Sequence, residues 1–208
     1  MVAGRAAWGD VGGDPIVISF PDKKYQVIYA DPPWSYNDKM AGHSFSLDHE
    51  YETQDIEWIK SLPASNLAAR DCALFMWAVS PQIPEALDVI QSWGFKYKTV
   101  AFVWSKKTSE NKDVHNLGRW TMGNIEQCFL ATKGHPKRIC NNVKQLVIDT
   151  RTIHSKKPAQ VRSRIVDLMG DLPRIELFSR DKIEGWDCWG NQIPDSEQKL
   201  LKTDEVLV

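Results

Sequence analysis

Several common signals are missing from this chain. Its four cysteines, Cys72, Cys128, Cys140 and Cys188, lie far apart, and no Cys-x-x-Cys pair occurs. That spacing supports neither a zinc site nor a disulfide framework, and it favours reduced thiols in a cytoplasmic protein. No metal is expected. No run of about 18 apolar residues exists, so neither a transmembrane helix nor a membrane partner is expected. No charged leader followed by an apolar core opens the chain, which argues against secretion. The Gly-x-Gly-x-x-Gly loop of dinucleotide binders is absent. A net charge of −1 with a mean hydropathy of −0.40 excludes a uniformly basic nucleic-acid binder. With 208 residues and no internal repeat, the chain reads as one domain with a full core. Residues 1–15 and 193–208 are expected as loose ends, and residues 16–18 as a short edge strand or a cofactor-side loop.

What is present centres on residues 25–34, Tyr-Gln-Val-Ile-Tyr-Ala-Asp-Pro-Pro-Trp. The apolar run Val27 to Ala30 predicts a buried strand that stops at Pro32. Pro32 also holds Asp31 extended. Asp31, Pro32, Pro33 and Trp34 therefore stand at the carboxyl end of a strand, where open α/β sheets bind ligands. An ionised Asp31 is acceptor-only, and the Pro32 carbonyl is a second acceptor. Two acceptors suit the two hydrogens of an exocyclic amino group, and Trp34 offers a flat face to its ring. The plainer reading is a strand that ends in a Pro-Pro turn with an incidental Trp.

Farther along, residues 35–52 form a long polar loop of the kind that is either functional or disordered. His43 and His49 lie in it, as metal ligands or as solvated filler. Thr53 is expected to cap a helix over residues 55–59. Residues 72–79 predict a second buried strand, and Ser80-Pro81 a helix start with Ile83, Leu87 and Ile90 turned inward. Residues 99–104, 128–131 and 146–148 predict further strands. Pro158 opens a helix carrying Val161, Ile165 and Leu168, which Gly170 ends. Residues 133–164 hold nine Lys/Arg against one acid, Asp149. That excess is either a phosphate footprint or a solvated surface.

Asp31-Pro32-Pro33-Trp34 after an apolar strand resembles the catalytic motif of amino-group methyltransferases, and the Trp points to the MT-A70 family. Lys156-Lys157-Pro158 and Glu176-Leu177-Phe178-Ser179-Arg180, with Gly190-Asn191-Gln192, stand in the order found in that family. Gly118-Arg119-Trp120 followed by Glu126 is similar to it as well. The resemblance covers roughly residues 24–192. It implies an α/β, Rossmann-like methyltransferase fold, with a mostly parallel sheet, helices on both faces and a permuted motif order. It implies transfer of a methyl group from S-adenosyl-L-methionine to the amino group of adenine. DNA is the expected polymer, with the base unpaired or flipped. RNA, and a non-catalytic partner subunit, remain as alternatives, and a homodimer is compatible with the family. By the same resemblance, Asp31 to Trp34 are catalytic. Asp31, Lys157, Arg180, Asn191 and Gln192 hold the cofactor. Trp34, Tyr51, Lys106, Glu126 and Lys156 meet the target, Glu126 as a pocket wall or as a simple surface carboxylate.

Overall fold

The computed structural model describes residues 5–11, 14–35, 54–115, 120–151, 156–193 and 199–200. Its centre is β3 (Tyr25–Ala30), whose neighbours are β4 (Ala68–Ala78) and β8 (Arg174–Leu177), both parallel to it. β5 (Lys96–Lys107), β6 (Ile125–Lys133), β7 (Leu146–Thr150) and β9 (Asp187–Trp189) complete a seven-stranded sheet of order β7-β5-β6-β4-β3-β8-β9. Only β6 runs against its neighbours, so the sheet is mostly parallel. This is the Rossmann-like α/β fold expected from the sequence.

Alternation along the strands divides the core into two layers. Ile28, Ala30, Leu74, Met76, Phe129, Ile175 and Leu177 face α1 (Ile56–Ser61) and α2 (Ile83–Ser92). Val27, Tyr29, Phe75, Trp77, Phe102, Trp104 and Cys128 face α3 (Ala159–Met169), which supplies Val161, Ile165 and Met169. A sheet covered on both faces explains the near-continuous apolar reading of β4.

Several local expectations are corrected. Asp55, not Thr53, caps α1: its carboxylate accepts the Trp58 amide at 2.7 Å. Ser80 opens a single 3-10 turn, and α2 starts only at Ile83, with Pro84 in its first turn. The inner face of α2 is Ala86, Val89 and Ile90, whereas Leu87 is 36% exposed. β5 is longer than residues 99–104, because paired strands on both sides keep it extended to Lys107. Where loose ends were expected, β1 (Arg5–Val11) pairs with β2 (Asp14–Ser19), and β10 (Lys199–Leu200) adds to β2. The loop at residues 36–53 lies outside the described residues.

β7 is the outer strand on its side of the sheet. Arg164 of α3 donates to the Lys144 carbonyl just before it at 2.8 Å and to its Leu146 carbonyl at 2.7 Å, and the Gln160 amide faces the Ile148 carbonyl. Trp93, just past α2, is fully buried, stacks near Phe178 and donates its indole N–H to the Ile59 carbonyl at 2.9 Å. It ties α1, α2 and the tip of β8 together. Trp93→Ala is expected to cost about 3–5 kcal/mol, from cavity formation and the orphaned carbonyl. Urea unfolding reads this as a lower midpoint with an unchanged slope.

Candidate active site

Strand β3 is the switch point of the sheet, with β4 on one side and β8 on the other. The crevice beyond its tip is where ligands of such sheets bind. Asp31, the next residue, stands there with 25% of its side chain exposed. Lys157, at the start of α3, reaches it: Nζ lies 2.8 Å from Asp31 Oδ2 and 3.2 Å from Glu126 Oε2. Lys106 donates to the other Glu126 oxygen. Four charges of alternating sign, Asp31, Lys157, Glu126 and Lys106, thus link the tip of β3, the start of α3, β6 and β5.

Lys106 and Glu126 are 7% and 6% exposed. Ions so deep are tolerated only when paired. Burial by itself would raise the Glu126 carboxyl, but Lys157 and Lys106 hold it below the ordinary carboxylate value. Burial would likewise lower Lys157, but Asp31 and Glu126 hold its ammonium above the ordinary lysine value. Both groups are therefore charged across the neutral range.

Beneath these charges lies an aromatic floor. Lys157 sits 5.6 Å from the Trp77 ring centre, Lys106 5.2 Å from that of Trp104, and Arg162 5.8 Å from that of Tyr29. Trp77 donates to the Tyr29 hydroxyl at 2.6 Å, and Arg162 grips Glu176 through two bonds of 2.5 and 2.6 Å. Ring faces attract cations most where water is excluded, so the floor helps keep Lys157 and Lys106 in place.

The backbone after Asp31 is fixed as well. The Pro32 carbonyl accepts the Trp34 amide at 2.9 Å, and the Pro33 carbonyl accepts the Gln54 amide at 2.9 Å. A carbonyl has two lone pairs, so Pro32 retains one. Trp34 departs from the sequence reading. It is 9% exposed, packs in the α1/α2 layer and donates its indole N–H to the Trp77 carbonyl at 3.1 Å. Its ring braces the turn from inside instead of offering an open face.

A second cluster lies beside the first, past β8 and β9. Phe178 takes the left-handed conformation, with φ of 64°, directly after β8. This turn carries the chain to Ser179 and the half-buried Arg180. The Ser179 amide donates to the Trp189 carbonyl at 3.0 Å. Gly190 follows, and a Cβ on it would fall 2.1 Å from the Ser179 carbonyl oxygen. Only glycine allows the two backbones this approach. Asn191 and the exposed Gln192 continue from it.

The structure thus gathers Asp31, Pro32, Lys157, Glu126 and Lys106, and groups Arg180, Asn191 and Gln192 at the neighbouring strand ends. Lys106 is drawn inward to Glu126 instead of facing a target strand. Lys156 is exposed and pairs with Asp181 at 2.5 Å. Tyr51, His43 and His49 lie outside the described residues. The basic stretch at 133–164 does not form one surface. Because β6 is antiparallel, it ends opposite Cys72, in the first half of β4, so Lys133, Lys137 and Arg138 lie at the edge away from Asp31. Arg162 and Arg164 are engaged within the fold. Arg151, Lys156 and Lys157 remain on the Asp31 edge. Sequence reading missed the pairing of Lys106 with Glu126: Trp104 is the residue opposite Glu126, and Lys106, two positions further along β5 on the same face, reaches it diagonally, a signal that only topology supplies. It also missed the Arg162–Glu176 fork.

The MT-A70 family profile matches residues 25–192. The chain is 37% identical over 211 residues to the type II methyltransferase M.MunI of a Mycoplasma species, covering 93% of this chain and 88% of that protein. It is 22% identical to an N(6)-adenosine-methyltransferase MT-A70-like protein of Arabidopsis thaliana, over 81% of this chain and 24% of the plant protein. With the N(6)-adenine-specific methyltransferase METTL4 of Mus musculus it shares 26% identity, over 82% of this chain and 38% of that protein. The chain therefore spans most of the bacterial relative and less than half of the eukaryotic ones.

Glu126→Gln is expected to destabilise the protein by about 3 kcal/mol at neutral pH, because it leaves buried ammonium groups short of one charge. The Glu126 carboxyl is depressed in the folded state, so its contribution is present above the unfolded value and lost as pH falls through the folded one. The gap between wild type and variant should therefore close as pH drops below about 4. Chemical denaturation across a pH series measures this, and a gap that stays constant to acid pH would contradict it.

Proposed function

This chain belongs to the MT-A70 family, and we propose that it is an S-adenosylmethionine-dependent methyltransferase acting on the exocyclic amino group of adenine in DNA. The observation that carries this reading is the tip of β3, where a partly open carboxylate and a carbonyl with a spare lone pair stand at the switch point of the sheet. The choice of DNA follows from the similarity to a bacterial type II methyltransferase along nearly the whole chain.

The residues fit the cofactor. Asp31 and Lys157 offer one charge of each sign, which complements the zwitterionic end of an amino acid. Arg180, Asn191 and Gln192 supply donors and acceptors suited to ribose hydroxyls. When bound, S-adenosylmethionine supplies an electrophilic methyl group on a cationic sulfur. Asp31 and the Pro32 carbonyl then accept the two amino hydrogens of the target and direct its lone pair outward. As positive charge develops on that nitrogen, the Asp31 carboxylate stabilises it. The surplus proton leaves to Asp31 or to solvent. Lys157 stays ionised through Glu126, and Trp34 holds the Asp-Pro-Pro turn in place. Much of the acceleration comes from this positioning. Tyr51 is the residue assigned to pack against the target ring, and Lys156 to meet its strand. The target base leaves its stack to reach the pocket, at a cost of a few kcal/mol in duplex DNA. The buried free thiols of Cys72 and Cys128 suit a cytoplasmic setting.

RNA is the second reading, favoured by the adenosine methyltransferase among the relatives. Radiolabelled methyl transfer to matched DNA and RNA oligonucleotides, followed by nucleoside identification, separates the two. Methyl groups on cytosine, or on nothing, would refute the proposal. Asp31→Asn should lower transfer on the order of 10²- to 10³-fold, while calorimetric titration shows a much smaller loss of cofactor affinity, about tenfold at most, because Lys157, Arg180, Asn191 and Gln192 remain. If both fall to the same extent, Asp31 serves the fold and not the chemistry. Gly190→Ala should act in the opposite sense, weakening cofactor binding by about tenfold or more because Ser179 and its loop are pushed aside.

A further inference from the structure

Trp120 is 97% exposed, with Met122 at 52% and Ile125 at 40% close behind it in the chain. Among the other tryptophans whose burial is described, Trp34, Trp77, Trp93, Trp104 and Trp189 are buried, and Trp58 and Trp186 half-buried. Tryptophan is among the more buried residue types on average, so an indole this fully in water, followed by two more exposed apolar side chains, stands out. Its position is defined. The Asn124 carbonyl accepts the Lys106 amide at 3.0 Å, and β6 begins at Ile125, one residue before Glu126. Residues 120–124 therefore stand on the sheet edge at which Asp31 emerges.

That edge is rich in cations. Lys107, Lys112 and Lys156 make ion pairs of 2.7, 2.5 and 2.5 Å with Asp113, Glu110 and Asp181. All three acids are largely exposed, and water and salt weaken such pairs enough for phosphates to compete. Arg151 is exposed beside them, its amide bonded to the Lys107 carbonyl at 2.8 Å, and has no ion pair among the described residues. Cations on the same sheet edge as an exposed flat ring match a nucleic-acid strand better than a protein interface, whose core excludes lysine and needs about 800 Å² on each side.

We propose that Trp120, seconded by Met122, is a wedge that enters the base stack of duplex DNA and fills the gap left by the departing adenine. This rests on the methyltransferase reading above. Apolar side chains inserted between base steps are a known means of unstacking a duplex, and an indole covers the face of the neighbouring base that flipping exposes. The wedge has work to do only where a stack must be opened. On an unpaired strand it is idle.

The test compares wild type, Trp120→Ala and Trp120→Phe in methyl transfer to unmethylated phage genomic DNA, native and heat-denatured. Because the side chain is almost wholly solvated, the variants are expected to fold, and thermal melting verifies it. Trp120→Ala should lose at least about tenfold on native DNA and stay within about threefold of wild type on denatured DNA. Trp120→Phe, still flat and apolar, should retain most of the native-DNA activity. Equal loss on both forms would make Trp120 a general strand contact and overturn the wedge, as would no loss on either. A change in sedimentation coefficient of Trp120→Ala, with activity lost equally on both forms, would assign the residue to self-association instead. Wild type inactive on both forms would overturn the methylation reading, and the wedge with it.

Discussion

The ammonium of Lys157, shared between Asp31 and Glu126, is the interaction on which the rest of the molecule turns. It joins four elements that are far apart in the chain: the tip of β3, β5 and β6 through Lys106 and Glu126, and the start of α3. Two anions and two cations balance, so the interior tolerates them. Remove one, and the others face burial without compensation. The same pairing that permits α3 to sit on the sheet also holds the carboxylate at the mouth of the crevice, so stability and the proposed chemistry share one set of atoms.

The two layers of the sheet divide the labour. The layer under α1 and α2 is apolar almost throughout, and Trp34 and Trp93 belong to it. The layer under α3 is mixed, with Tyr29, Trp77 and Trp104 as a floor for Arg162, Lys157 and Lys106. Alternation along β3 assigns each residue to one layer. Ile28 and Ala30 serve the first, and Val27 and Tyr29 the second. The turn after Ala30 then opens where the two layers meet.

Much of this was legible from the sequence, for identifiable reasons. The strand before Asp31 was clear because an apolar run met a Pro-Pro stop, and α3 because its spacing and flanking Pro and Gly are local signals. The family motifs marked both clusters of the site. The remainder depended on distant partners. Asp55 and Thr53 are both good caps, and the position of the first turn decided between them. Leu87 lies at helical spacing from Ile83, yet the sheet under α2 meets Ala86 and Val89 instead. Trp34 read as an open platform because composition does not reveal that Trp77 offers its indole a carbonyl. The basic stretch allowed a phosphate footprint or a solvated surface, and a sequence does not show that β6 runs backwards, which puts the first of those charges on the far edge.

Arg164 and Gln160 have an effect beyond their own hydrogen bonds. By occupying carbonyls in and just before β7, two side chains of α3 close the sheet on that side against an incoming strand. A flat, unguarded margin would invite neighbouring molecules to stack strand upon strand into fibrils. Here the helix that follows Lys157 also covers that margin, so one segment both places the partner of Asp31 and occupies carbonyls that an incoming strand would need.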